Sequence, residues 1–537
     1  MKADTADLDP EAVGQAPEPA AEGEPAARRD VLLGLACLAV VALIVVDRAR
    51  LLREFGFRFT DEDQAVLWWT AEDLRAGHVR APYFYGQSYG SWLESAVAVP
   101  LRAGGVALGH ALPIAGAFLS TLPCVLLALV AWLKRAKLAA GAILAGCLVL
   151  STELVAAASL PRGITPGIAL AAVGVAVGVA GAPRPAAMVG FGLLAVVGGS
   201  LNESSVLLSA PAAAYLVLRH WRSARAWLSL ALGVELGLVF HVLARAFYSS
   251  RPAYEVHYRW PLVLEREQLR DSGTRLEQYF TAYGFDFLRS PAVPLALLAV
   301  AALVLVARRG LPGLAAVVAA GGLGVATLAT AKAADGSPSV FFPYFRFFFA
   351  LPAVLALFLI LASGGKPLGR WVSRTAAVAV LVAAVAGFAH RGEQLDREVR
   401  RLTASDSEGR YQAPAVTGWV LEDCREAGEL ARAHEAGLIV YLKDRVAPYL
   451  CGAALYGQVQ TLYPAYERRT WDLERESAYA RTRMVVAGGG PEFCEHAAWV
   501  ATACQLVSPR LELLVLEFPA QPVVPLLRQL GVTVVDF

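Results

Sequence analysis

The feature that most constrains this chain is a succession of long apolar runs separated by short, charged connections. After Val31 to Val46, such runs fall near 111–133, 138–159, 164–182, 186–201, 204–218, 226–247, 291–307, 311–330, 345–363 and 371–389. Backbone buried in lipid finds no water, so runs of this length must fold as helices that satisfy their own amides and carbonyls. Composition agrees: 56% of the 537 residues are hydrophobic and 18% charged, against about 25% charged in soluble domains, and the mean hydropathy is +0.49. The net charge of +2 says nothing about partners, and no basic cluster interleaved with aromatics points to nucleic acid. The expected class is a polytopic α-helical membrane protein.

The charged connections orient the runs. Arg28-Arg29, Lys134-Arg135-Lys137, Arg184, Arg219 to Arg225, Arg308-Arg309 and Lys366 to Arg374 fall on one side. Asp61 to Asp63, Pro161-Arg162, Asn202-Glu203, the loop 248–290 and Asp335 fall on the other. The positive-inside rule assigns the basic side to the cytoplasm. This pattern holds only if 91–109 lies along the outer interface instead of crossing, which gives about eleven spans. Residues 1–27 carry seven acidic residues, one lysine and no periodicity, and read as a disordered cytoplasmic tail. They lack the basic start and small-residue end of a cleaved signal peptide, so the first run is expected to stay as an uncleaved span. The membrane domain is expected over 28–392, with outer loops at 47–110 and 248–290.

From about 393 the charge rises and the apolar runs shorten. Leu438 to Leu442, Met484 to Ala487, Leu513 to Phe518 and Val532 to Val535 read as buried strands. Helical patterns at Pro491 to Cys504 and Pro525 to Leu530 lie between them, predicting a parallel α/β sheet in a soluble, extracytoplasmic domain over 393–537. Cys37, Cys124 and Cys147 sit in apolar runs, where a thiol is usually a small buried hydrophobe. Cys424, Cys451, Cys494 and Cys504 all belong to the C-terminal domain. In an oxidising compartment an even number suggests disulfides. Cys424 with Cys451 and Cys494 with Cys504 is the preferred pairing of the three available. Zinc lacks any CxxC spacing here, and four buried thiols are the plain alternative.

The first long polar excursion, Phe59 to Leu101, holds the candidate chemistry. Thr60 followed by Asp61-Glu62-Asp63 predicts a helix start, with a threonine cap and acids in a first turn that the helix dipole favours. Ordinary capping would explain those acids. Their place just outside a span and before the aromatic, glycine-rich stretch Tyr83 to Gly90 favours a role in chemistry. An ionised carboxylate there could deprotonate a hydroxyl or amine, or hold a divalent cation. Trp68 and Trp69 read as interface anchors first and a sugar-stacking platform second. His78, His241 and His257 show no metal-ligand spacing.

This layout resembles the GT-C glycosyltransferases, multispanning enzymes that include protein O-mannosyltransferases and bacterial aminoarabinose transferases. The residues that carry the resemblance are Thr60-Asp61-Glu62-Asp63, Gly77-His78, Tyr85-Gly86-Gln87-Ser88-Tyr89 and Leu93-Glu94 in the first outer loop. Tyr344-Phe345-Arg346-Phe347 to Leu351-Pro352 looks like the family's late Arg-Tyr-leading span, with Phe347 where tyrosine is common. Where aminoarabinose-type members have Lys-Pro-Pro, this chain has Gly86-Gln87-Ser88, so no phosphate-binding lysine is carried over there.

The resemblance implies an inverting transfer of a hexosyl or pentosyl group from a polyprenyl-phosphate donor to a lipid, glycan or protein acceptor at the outer membrane face. Asp61 would be the general base, with Glu62 and Asp63 assisting or binding a metal. Arg346, framed by aromatics from Phe341 to Phe349, would meet the leaving phosphate, with Lys332 and Arg162 as further cations. A snorkelling arginine is the plainer reading of Arg346. Tyr85, Gln87, Tyr89 and Glu94 would form the substrate loop. No cofactor is required, although a divalent cation fits, and a bacterial plasma membrane is the expected location. A transporter or flippase would place ionisable groups mid-span within internal repeats, and neither is evident. A non-catalytic envelope assembly protein is the other alternative. If the division of roles holds, Asp61 and Arg346 should share one pocket, within roughly 15 Å, the reach of a sugar phosphate and its acceptor.

Overall fold

A computed structural model describes residues 25–256, 263–285, 288–330, 336–337, 339–363, 370–406 and 415–535. Two strategies of burial divide it: a helical bundle with an apolar outer surface, and a sheet with helices on both faces.

The bundle begins with α1 (Pro25–Leu51), whose C-terminal end tightens into a π-helical turn at Leu52–Gly56 and leads to the short strand β1 (Phe59–Thr60). Two helices of the first loop follow, α2 (Glu62–Arg75) and α3 (Leu93–Ala103). At 11 residues, α3 is roughly 16 Å long, too short to cross. Then come α4 (Leu108–Leu133), α5 (Lys137–Val149), α6 (Thr152–Ser159), α7 (Thr165–Gly181), α8 (Pro185–Leu201), α9 (Val206–Arg219) and α10 (Ala224–Ser250). After α11 (Arg266–Thr274) and α12 (Leu276–Thr281), the bundle closes with α13 (Ala292–Arg309), α14 (Leu311–Leu328), α15 (Leu351–Ala362) and α16 (Arg370–Asp406).

Among the described residues, seven helices are long and apolar enough to cross a membrane: α1, α4, α10, α13, α14, α15 with the turn before it, and α16. The other four expected segments fold as shorter helices. The run 138–159 is broken in two. Leu150 leaves the helix to bridge Phe285, and the Ser151 hydroxyl caps α6 by accepting from the Leu154 amide. Leu38, Leu228, Leu243, Leu303, Val318 and Val382 point outward from α1, α10, α13, α14 and α16 with no protein cover. Such a belt is stable in lipid and not in water. The chain is an integral membrane protein. Below the belt's edge one buried ion pair ties the ends of two spans: Arg391 of α16 donates to Asp47 of α1 at 2.6 Å and to the carbonyls of Leu148 and Leu150.

α16 runs unbroken through position 392, and the C-terminal part starts with β2 (Ala415–Val416). There follow α17 (Thr417–Ala433), β3 (Leu438–Tyr441), α18 (Ala447–Ala454), β4 (Gln460–Leu462), α19 (Thr470–Ala478), β5 (Ala480–Ala487), α20 (Gly490–Ala497), β6 (Ala503–Ser508), β7 (Leu513–Pro522) and α21 (Val523–Gln529). The sheet order is β4-β3-β5-β7-β6. Side chains alternate as a strand period of two requires. Leu438, Val440, Met484, Val486, Leu514 and Leu516 face α19, α20 and α21, while Ile439, Tyr441, Val485, Ala487 and Val515 face α17 and α18.

The sheet corrects the sequence expectation in three places. It is mixed: β3 pairs in parallel with β4 and β5, but the tight β6–β7 hairpin turns β7 antiparallel to both its neighbours. The helix expected at Pro491 to Cys504 stops at Ala497, because 503–508 becomes β6. Val532 to Val535 forms no strand; the Val535 amide donates instead to the Pro464 carbonyl at 2.8 Å. Cys424 bonds Cys451 across α17 and α18, and Cys494 bonds Cys504 across α20 and β6.

The two parts interlock. β1 pairs antiparallel with β2, Phe59 opposite Val416 and Thr60 opposite Ala415. α2 is packed between α18 and α4, with Trp68 and Trp69 buried beside Tyr449, Leu450, Ala111 and Leu112. Gly452 permits this, because a β-carbon there would overlap the Trp69 ring.

Candidate active site

The acidic turn opens α2 one residue later than the sequence suggests. Asp61, not Thr60, is the cap: its backbone is extended and its Oδ1 accepts from the Gln64 amide at 3.0 Å. Thr60 is fully buried in β1 and its hydroxyl turns to the Asp61 carbonyl. The other oxygen of Asp61 lies 3.0 Å from Arg162 Nη2, which also reaches Asp63 at 3.3 Å. Burial raises the Asp61 carboxyl above the ordinary aspartate range, Arg162 opposes the rise, and Asp63 adds to it. A carboxylate moved toward neutrality while one oxygen faces a cation is suited to general-base work.

Arg162 sits on the loop between α6 and α7, and that loop is fixed from several sides. Glu94, with no exposed surface, accepts from the Gly163 amide and from the Thr165 hydroxyl at 3.2 Å. Asn202 donates to the Ile164 carbonyl at 2.8 Å. Gly163 has φ +73°, and a β-carbon there would come 2.9 Å from the Ser91 carbonyl oxygen. Glu94 has no cation beside it in these bonds, and burial pushes its carboxyl up to about 8.

Arg346 occupies the short 3₁₀ turn Tyr344–Phe348 just before α15. Its guanidinium lies 3.5 Å from the Phe342 ring centroid, and that of Arg162 lies 5.7 Å from the same centroid. Arg162, Arg346 and Thr165 line one narrow pocket with Ala157, Leu160 and Ile164. The chain of contacts therefore runs Asp61, Arg162, Phe342, Arg346. Contrary to the sequence expectation, Asp61 does not line this pocket with Arg346 but meets it through Arg162, and two guanidiniums near a carboxylate suit an anionic group.

The other expected site residues are placed as follows. Glu62 and Asp63 are engaged by Arg468 of the C-terminal part, at 2.9 and 3.0 Å. Among the described residues no group of three or more His, Cys, Asp or Glu could hold a metal ion. Gln87 and Tyr89 stay partly exposed. Two members of the expected substrate loop turn inward. Glu94 is committed to the Arg162 loop, and Tyr85 is buried with its hydroxyl on Asp73, which also receives Tyr456 at 2.6 Å. His78 faces Asp73 and Tyr456, and His241 faces Ser200. Lys332 and His257 lie outside the described residues. Arg468 is the cation that sequence reasoning missed. Its only visible signal was the pair Arg468-Arg469 between Tyr466 and Trp471 in a domain otherwise read as a cover.

No family model matches the chain, and no curated protein matches it in sequence. Solved structures do. ArnT from Cupriavidus metallidurans in the apo state superposes with a TM-score of 0.53 at 13% identity, over 89% of this chain and 97% of that one. The same enzyme bound to undecaprenyl phosphate gives 0.50 at 14% identity, with the same coverage. The chain has an ArnT-like fold. Within this architecture the acidic turn follows the first membrane helix directly, and its cations come from the α6–α7 loop and from the C-terminal sheet domain.

Proposed function

We propose that this protein transfers a hexosyl or pentosyl group from a polyprenyl-phosphate donor to an acceptor, with inversion and with Asp61 as general base. The observation that carries the reading is the contact of Asp61 with Arg162 at 3.0 Å, the arginine that lines a narrow pocket together with Arg346. The ArnT structure that contains undecaprenyl phosphate supports the donor class. In this mechanism Asp61 removes the proton from an acceptor hydroxyl or amine. The freed electron pair attacks the anomeric carbon, and the bond from that carbon to the phosphate oxygen breaks. The departing phosphate keeps the bonding pair. Arg346 and Arg162 stabilise the charge that develops on it, a task to which desolvated guanidiniums are suited. Residues 28–392 form the membrane-embedded transferase unit and 393–537 an extracytoplasmic domain. The N-terminus lies in the cytoplasm and the membrane is the bacterial plasma membrane.

The test is transfer of radiolabelled sugar from polyprenyl-phosphate donors in membranes. Asp61→Asn keeps the cap, since its amide oxygen still accepts from Gln64, but loses the base, and transfer drops by about 10²–10⁴-fold. Undiminished transfer by Asp61→Asn removes Asp61 from this role.

A further inference from the structure

Three carboxylates crowd the first turn of α2, and Arg162 of the membrane domain meets two of them, Asp61 and Asp63. The second cation arrives from the C-terminal domain on a short, strongly anchored segment. Arg469, without exposed surface, takes both oxygens of Glu467 at 2.8 and 2.9 Å, donates to the Thr461 carbonyl at 2.6 Å and lies 4.1 Å from the Trp69 ring centroid of α2. The amide of Arg468 donates to the Tyr449 hydroxyl at 3.1 Å. Gly86, at φ +76°, makes room for this segment: a β-carbon there would stand 2.7 Å from Arg468 Cβ. The Arg468 guanidinium then reaches Glu62 at 2.9 Å and Asp63 at 3.0 Å, with the Phe84 ring 5.3 Å away.

We propose that Arg468 is a positioning residue of the membrane-domain site: by pairing with Glu62 and Asp63, it lessens the pull of Asp63 on Arg162, which Asp63 shares with Asp61, and so tunes the Asp61 carboxylate. The inference rests on the transferase reading for its kinetic consequence, and on contacts alone for its structural one. The groups that face Asp61 are Arg162 from the α6–α7 loop and, from its own turn, Asp63 and the Gln64 amide. Behind these stand Arg468 and Tyr449 from the C-terminal domain, Tyr89 from the first loop and Arg445 near Glu62. Arg346 lies against the Phe342 ring that Arg162 also approaches. Without Arg468, Asp63 acts more strongly on Asp61 and competes harder for the Arg162 they share. Both effects hold the Asp61 proton more tightly.

The experiment compares full-length wild type with Arg468→Gln, Arg468→Lys and the double variant Arg468→Gln/Asp63→Asn. In sugar transfer, the acidic limb of the pH–rate profile moves to higher pH in Arg468→Gln by about one unit, a tenfold loss on the acid side that high pH recovers. Arg468→Lys restores most of the limb, and removing the Asp63 charge in the double variant restores it too. A second readout needs no activity: carbodiimide coupling of glycine ethyl ester, read by mass spectrometry across pH, reports the protonation of Asp61. Its labelling midpoint shifts the same way. If transfer is absent in wild type but the labelling midpoint shifts, the transferase reading fails while the role of Arg468 stands. A rate lowered equally at all pH values, or a labelling midpoint unchanged in Arg468→Gln, overturns the inference.

Discussion

Glu94 offers the sharpest test of how the site is held. It touches neither Asp61 nor Arg346 in any contact described above, yet it fixes the loop that carries Arg162 through the Gly163 amide and the Thr165 hydroxyl. Replacing it with alanine orphans a buried amide and a buried hydroxyl. Leaving such groups unsatisfied costs about 1–3 kcal/mol each, less what the threonine regains by rotating, so about 2–4 kcal/mol falls on this loop. That displaces the loop's order–disorder ratio by roughly 30- to 900-fold. Glu94→Ala is therefore expected to lower kcat/KM by at least about tenfold, through a residue that does not touch the donor. Glu94→Gln keeps an acceptor oxygen and stays close to wild type at pH 7. The pH dependence sharpens the contrast. The unfolded chain releases this proton near 4.5 and the folded chain near 8. Between those values the unfolded state binds fewer protons, so folding stability falls as pH rises and the loss is complete once pH passes about 8. Wild type should unfold at lower temperature at pH 9 than at pH 6.5, and Glu94→Gln should lack this share of the change. The buried free thiols Cys37 and Cys147 allow a thiol-reactive dye to follow unfolding in detergent. A Glu94→Gln protein as damaged as Glu94→Ala at pH 7 would refute the reasoning, because the site would then require the negative charge.

Two further substitutions probe the frame. Gly86→Ala forces a left-handed backbone on a residue with a side chain and presses on Arg468, so the C-terminal domain should loosen. Limited proteolysis of the C-terminal domain should accelerate several-fold, and an unchanged cleavage rate would show that Gly86 is spare. Arg391→Gln leaves the Asp47 carboxylate, 4% exposed, with Arg48 at 3.2 Å in place of two arginines, at a cost of about 1–3 kcal/mol. Thermal unfolding in detergent should fall clearly, while Asp47→Asn combined with Arg391→Gln recovers part of the loss.

Much of the scaffold was legible because its physics is local. Lipid demands long apolar helices, and the sheet strands announced themselves as short runs of Leu, Ile and Val. The acidic turn was legible too, since three carboxylates just beyond a span have few reasons to be there. What stayed hidden depended on partners far away in sequence. The break at Leu150 answers to Phe285, and the course of Val532 to Val535 answers to the Pro464 carbonyl, which takes the Val535 amide. Glu94 reads as a polar loop residue until the α6–α7 loop is laid across it. Arg468 is least legible of all: in sequence it is one of two arginines in a soluble domain. Only the fit of Gly86 and Trp69 against that segment gives its direction.

The pairing of Glu62 with Arg468 spans 406 residues of chain. At roughly 5–20 residues per second of synthesis, the acidic turn emerges roughly 20–80 s before its counter-ion exists. By the time Arg468 is made, the membrane helices, the pocket and Arg162 already exist, but until then the three carboxylates lack that cation. The charge arrangement of the site is therefore finished after its pocket. A chain that stalls or is clipped before Arg468 carries the pocket without it, so the order of manufacture acts as a check on the site.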